Sequence, residues 1–154
     1  MNNDILHNAP LITGLAAMLI AQLLKPFIGL IWAHKLDLKL LKSTGGMPSS
    51  HTSFVIALTT SIGIIEGAGT VDFAIALVFA LIIIHDAMGV RREAGKQAEV
   101  INDWSKQLSK LFEEGQFTEE NLKTMLGHNF SQVIGGVILG IIVGYFGTGI
   151  VLNW

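Results

Sequence analysis

The chain reads as an all-α integral-membrane helical bundle, and three observations say so. Apolar residues make up 51% of its 154 positions and charged ones only 14%, against roughly 25% charged in an ordinary soluble domain. The apolar residues are gathered into four long runs. The ten Lys and Arg residues lie late in or after the first run, or between the third and fourth, and nowhere else. A soluble helical bundle is the alternative, since short apolar runs also build cores.

A bilayer core about 30 Å thick takes about 20 apolar residues to cross as a helix. Pro10 to Ala33 meets that length, interrupted only by Gln22 and Lys25. Residues 1–9 carry no Lys or Arg, and the run is too long for a signal-peptide core, so it reads as a retained helix. Phe54 to Ile65 reaches crossing length only with His51 to Ser53 included. Phe73 to Ile84 reaches it by extending to Val90, and Val133 to Leu152 crosses outright. The expected spans are therefore 10–33, 50–66, 72–90 and 131–152, within a single membrane domain 1–154. With four alternating spans every basic residue falls on one side. The positive-inside rule makes that side cytoplasmic and puts both termini outside, in a multi-pass protein of the cell membrane.

The connections carry their own signals. Leu36, Leu38, Leu40 and Leu41 alternate with lysines and suit the membrane interface. In the insert 91–127, Ala94, Ala98, Ile101, Trp104, Leu108 and Leu111 recur in steps of three and four, an amphipathic cytoplasmic helix. Gly115 is placed to end it, and Thr118 before Glu119 and Glu120 to cap a second short helix. In the last span Gly136, Gly140 and Gly144 recur every four residues. Such a stripe either packs against another helix of the same chain or joins copies in a homo-oligomer.

The unusual polar groups all fall at the cytoplasmic ends of the spans: Lys25, then Ser49, Ser50 and His51, then Asp86, Arg91 and Arg92, then His128. Ionisable groups near membrane depth are costly and mark sites. Ser49 or Ser50 can cap the second span and leave its N–H groups aimed at an anion, which Gly45 and Gly46 let approach. Lys25, Arg91 and Arg92 supply positive charge, with arginine suited to a bidentate grip on phosphate. His51 and His128 offer a nucleophile and a general acid near neutral pH.

Each piece alone has a plainer reading: Ser49 as a cap, His51 as a hydrogen-bonded structural histidine, Arg91–Arg92 as a stop after a span, His128 as a helix start. His7 and His34 read as surface residues and His85 as structural. No His/Asp/Glu cluster has ligand spacing, so neither metal nor cofactor is expected. Without cysteine there are no disulfides, and a net charge of −2 gives no nucleic-acid signal.

These residues resemble a known family. PSSH at 48–51 is similar to the PSGH signature of the type 2 phosphatidic acid phosphatase superfamily. GGMPSSH (45–51), DAMGVRREAGKQAEVIN (86–102) and LGHNFSQVIGG (126–136) resemble its divergent bacterial branch, the acid phosphatase/vanadium-dependent haloperoxidase-related proteins, in order and spacing over nearly the whole chain. The resemblance implies a phosphohistidine mechanism. His128 would attack phosphorus and His51 protonate the leaving group, while Lys25, Ser50 and an arginine hold the phosphate oxygens. The chain departs from the superfamily at three points. Trp32 and Ala33 stand where the first motif, KxxxxxxRP, has Arg and Pro. The third motif, SRxxxxxHxxxD, keeps its histidine at His128, but Arg92 lies 36 positions upstream. Gln132 replaces the carboxylate that orients the nucleophile, leaving Asp86 to supply that charge. The expected function is hydrolysis of a lipid phosphate of the phosphatidate, phosphatidylglycerophosphate or polyprenyl phosphate type. The alternatives are a non-catalytic lipid-phosphate binder or carrier, or a structural membrane protein docking a partner through residues 91–114.

Overall fold

The computed structural model describes residues 5–34, 36–43, 45–110, 121, 122, 124 and 127–153. Among them the regular structure is entirely helical: α1 (Ala9–Ala33), α2 (Ser50–Ile65), α3 (Val71–Met88), α4 (Val90–Ser109) and α5 (Phe130–Leu152), with short 3-10 turns at Ile5–His7 and Leu38–Lys42. Gly115 and Thr118, expected to end one helix and cap another, lie outside the described residues, as does Leu111.

Helix starts follow from side-chain caps. The Asn8 side-chain Oδ1 accepts from the Leu11 N–H at 3.0 Å, Ser49 Oγ from the Thr52 N–H at 3.3 Å and Thr70 Oγ1 from the Phe73 N–H at 3.3 Å. Only Gly89, with φ −99° and ψ −91°, separates α3 from α4. α4 thus begins where α3 stops.

The bundle is inverted relative to a water-soluble one. Most of its buried residues are small or hydroxylated, among them Ala17, Ala21, Ala57 and Ala80, with Thr13, Thr52, Ser53, Ser61 and Thr148. The large apolar side chains point outward, among them Leu19, Phe27, Ile31, Phe79 and Phe146. Lipid tails are as apolar as leucine, so membrane helices associate through close backbone approach and interhelical hydrogen bonds, which small residues permit. α1, α3 and α5 are long and apolar enough to cross a membrane, and α2, at 16 residues, is the shorter apolar helix among them.

α2 sits centrally, against α1, α3 and α5. A Cβ at Gly136, Gly140 or Gly144 would meet the carbonyl oxygen of Ser49, Ser53 or Ala57 respectively, each at 2.8 Å. The matched steps of four show that α2 and α5 run parallel with their backbones in contact. Thr148 adds a hydrogen bond to Ser61 Oγ at 2.7 Å. The glycine stripe therefore packs within the chain. The homo-oligomer expected through Gly136, Gly140 and Gly144 finds no open surface there, because α2 of the same chain fills it. The parallel course also brings the amino ends of α2 and α5 together at one end of the bundle.

Candidate active site

His128 is fixed by its neighbours on both sides. Gly127 has φ +81°, and a Cβ there would lie 2.5 Å from the Arg92 nitrogen, so only glycine fits. The His128 N–H donates to the Ala87 carbonyl at 2.9 Å, tying the residue to the end of α3. Its side chain is buried, with Nδ1 3.0 Å from Gln132 Oε1. That same oxygen accepts the Asn129 backbone N–H at 3.1 Å. A backbone N–H only donates, so the amide atom facing it is the oxygen. Nδ1 must then carry the proton, which leaves the lone pair on Nε2.

Burial pushes the His128 imidazole below its ordinary value of 6.5. The Gln132 bond opposes that shift, and the positive charges of Lys25, His51 and Arg91 add to it. The ring is neutral at pH 7.

Gln132 also builds the turn that presents His51. Its backbone carbonyl accepts the Ser49 N–H at 2.9 Å. Ser49 is fully buried, and its Oγ accepts from both the Thr52 N–H and, at 2.9 Å, the Thr52 hydroxyl. His51 follows in the first turn of α2. It shares a cavity of about 290 Å³ with Ile82, Ile83, Asp86, Ala87, Arg91, Gly127 and His128. Within it Arg91 Nε pairs with Asp86 Oδ2 at 2.6 Å. Two histidines, an arginine and a carboxylate from three distant segments thus meet beside apolar α3 side chains.

The other expected residues lie elsewhere. Arg92 lines a second, more polar cavity of about 280 Å³ with Gly45, Gly46, Glu99 and Gln132, on the other side of His128. Lys25 is buried and its Nζ donates to the Ser43 carbonyl at 3.0 Å. It borders a third cavity with Gly46, Met47 and Gln132. Its charge reaches His51 and His128 through space rather than by contact. Ser49 and Ser50 are buried and line neither cavity at His128. Asp86 is committed to Arg91 instead of His128. Two further residues shape the site, Gly127 and Gln22. Gly127 was signalled by its place before a histidine. Gln22 Nε2 donates to the Leu41 carbonyl at 2.6 Å and to the Ser43 carbonyl at 3.2 Å, holding the loop before Gly45. An amide inside an apolar run was its only signal.

Fold and composition define a multi-pass helical membrane protein with a titratable cavity at one end of the bundle. The chain belongs to the Divergent PAP2 family, whose sequence pattern matches residues 6–143. It is 38% identical over 155 aligned residues to the "Uncharacterized membrane protein YuiD" of Bacillus subtilis (strain 168), covering 93% of this chain and 98% of that protein. No solved structure matches it.

Proposed function

We propose that the protein is a lipid-phosphate phosphohydrolase working through a phosphohistidine on His128. The observation that carries this reading is the shared cavity of His51, Arg91 and His128, with His128 held as the Nδ1–H tautomer by Gln132. A phosphate monoester of phosphatidate, phosphatidylglycerophosphate or polyprenyl type enters from the bilayer past Ile82 and Ile83. The terminal guanidinium nitrogens of Arg91 hold its non-bridging oxygens. Nε2 attacks phosphorus, and protonated His51 gives its proton to the departing alkoxide. Water then attacks phosphorus from the side the alkoxide left. His51 takes a proton from that water, and the P–N bond breaks to release inorganic phosphate. No metal enters these steps, so chelator leaves the rate unchanged.

Purified protein should release phosphate from at least one lipid of such a panel, and His128→Ala should abolish release while lipid binding persists. The second reading, a binder or carrier, is favoured by one observation: His128 faces an amide, and Asp86 is engaged by Arg91. An imidazolium forming on attack would then meet no carboxylate. Binding without release by the native protein would decide for it.

In the same reading the four apolar helices cross the membrane, with the cavity on the cytoplasmic side and both termini outside. Cysteines at Asn3 and Asn153 should label from outside intact cells, and one at Gln116 should not. Labelling at only one terminus would require an odd number of crossings.

A further inference from the structure

α4 carries an apolar face that the described chain leaves uncovered. Val90, Ile101, Trp104 and Leu108 are 65%, 50%, 66% and 41% exposed. At 3.6 residues per turn they fall within an arc of about 60°, which also takes in exposed Gln97. Arg92, Lys96, Glu99, Asp103, Lys106 and Lys110 occupy the opposite side, within about 80°. Between the two runs the line that packs inward, marked by buried Gly95 and Ala98.

The helix does not project away from the bundle. Glu99, ten residues beyond the break at Gly89, still lines a cavity with Gly45, Gly46 and Gln132. Asn102 makes both its amide bonds to the Leu122 backbone, at 2.9 and 2.8 Å. α4 therefore stays at the bundle end where α3 finishes.

We propose that α4 lies in the headgroup layer of the membrane that α3 crosses, with Val90, Ile101, Trp104 and Leu108 inserted into lipid. Three observations favour lipid over a protein partner. The stripe begins at Val90, just past the end of α3, whose Val78, Phe79 and Ile82 also face outward. Its centre is a tryptophan, whose amphipathic ring settles at the interface. The polar side holds four cations, Arg92, Lys96, Lys106 and Lys110, against Glu93, Glu99 and Asp103, with Lys96 paired to Glu93 at 2.6 Å, and the remaining positive excess suits anionic headgroups. A second segment of the same kind lies at this end: the Leu38–Lys42 turn, with exposed Leu38 and Leu41 beside Lys39 and Lys42. The consequence is positional. Arg91 sits in the first turn of α4, so the depth of α4 sets the depth of the cavity.

The test needs no turnover and so stands apart from the phosphatase reading. The native chain has no cysteine, so single nitroxides can be placed by Ile101→Cys, Leu108→Cys, Asp103→Cys and Lys106→Cys. Each full-length variant is reconstituted alone in vesicles of zwitterionic and anionic phospholipid. Labels at 101 and 108 should be accessible to oxygen and shielded from a water-soluble nickel complex. Labels at 103 and 106 should show the reverse, with accessibility ratios differing several-fold. Trp104 fluorescence in a Trp32→Phe/Trp154→Phe chain, free of labels, should be quenched by brominated lipid and protected from iodide. Equal nickel access at all four positions, or a Trp104 open to iodide, would overturn the proposal and leave the stripe to a soluble partner.

Discussion

Along the α2–α5 seam, Gly136, Gly140 and Gly144 press one backbone onto another. One turn before Gly136 hydrogen bonds take over from close packing. There Gln132 grips the Ser49 turn through its backbone and His128 through its amide. The seam has no titratable group, and its hydroxyls are spent on internal bonds such as Thr148 to Ser61. The corner gathers His51, Asp86, Arg91 and His128 around an open volume. In lipid, contact between small residues stabilises helix pairs wherever backbones can touch. Ionisable side chains collect where the helices end, because there they can be hydrogen-bonded and reached by water. A rigid seam directly beside a polar corner keeps the two histidines in register.

Breaking the seam should have the largest effect. Gly140→Ile places a branched side chain where even a Cβ comes within 2.8 Å of the Ser53 carbonyl oxygen. Neither backbone can yield without parting the helices, and overpacking alone costs about 1–3 kcal/mol. The variant should lose its monodisperse elution peak in detergent, whereas His128→Ala should keep it. Equal stability of the two would mean that the seam is not what holds the corner.

His51→Ala should act only at the corner. If His51 is the proton donor, hydrolysis of an alkyl phosphate slows by about 10²–10⁴. An activated aryl phosphate, whose leaving group needs no proton, should be affected much less. Equal slowing of both substrates would make His51 a binding residue.

Gln132 sharpens the comparison, since it serves both regions. Gln132→Leu removes the acceptor of Nδ1–H and should cost activity by about 10–100-fold, the scale at which partners that orient metal-bound histidines act. Gln132→Glu keeps the acceptor and adds a negative charge, which raises the His128 pKa. In the native protein that pKa is lowered, so the acid limb of kcat/KM should lie below 6.5, and in Gln132→Glu it should move upward. Linkage gives the same sign for stability. His128 folds as the neutral form, so its contribution is complete above 6.5, the unfolded value, and is lost as pH falls toward the lowered folded value. An acid limb unmoved by Gln132→Glu would show that His128 is not the group titrating.

The smallest effect belongs to the far end of the seam. Thr148→Val removes the bond to Ser61 while keeping the shape of the side chain, and should cost about 0.6 kcal/mol, the mean for interhelical hydrogen bonds in a membrane. Thermal unfolding should shift slightly and activity should not change.

Composition and the length of the apolar runs were enough to assign the all-helical membrane class, because such runs are at home in lipid. The three blocks around residues 45–51, 86–102 and 126–136 determined the family. That Ser49, His51, Asp86 and His128 would gather at one end was also legible, since alternating helices must bring alternate termini together. What stayed hidden was rotation. Hydrophobic period fixes how a side chain lies on its own helix, but not how that helix turns against its neighbour. Arg91 and Arg92 are adjacent in sequence and about 100° apart on a helix, and Gly89 breaks the phase between α3 and α4. Only the packed structure could turn Arg91 toward His51 and leave Arg92 beside Glu99. Only packing could close the glycine stripe on α2, because Gly136, Gly140 and Gly144 fit any backbone able to approach them. The tautomer of His128 is local by contrast, since one Gln132 oxygen meets both the Asn129 N–H and Nδ1 within the capping box that starts α5. Packing decides only that the ring so fixed shares a cavity with His51.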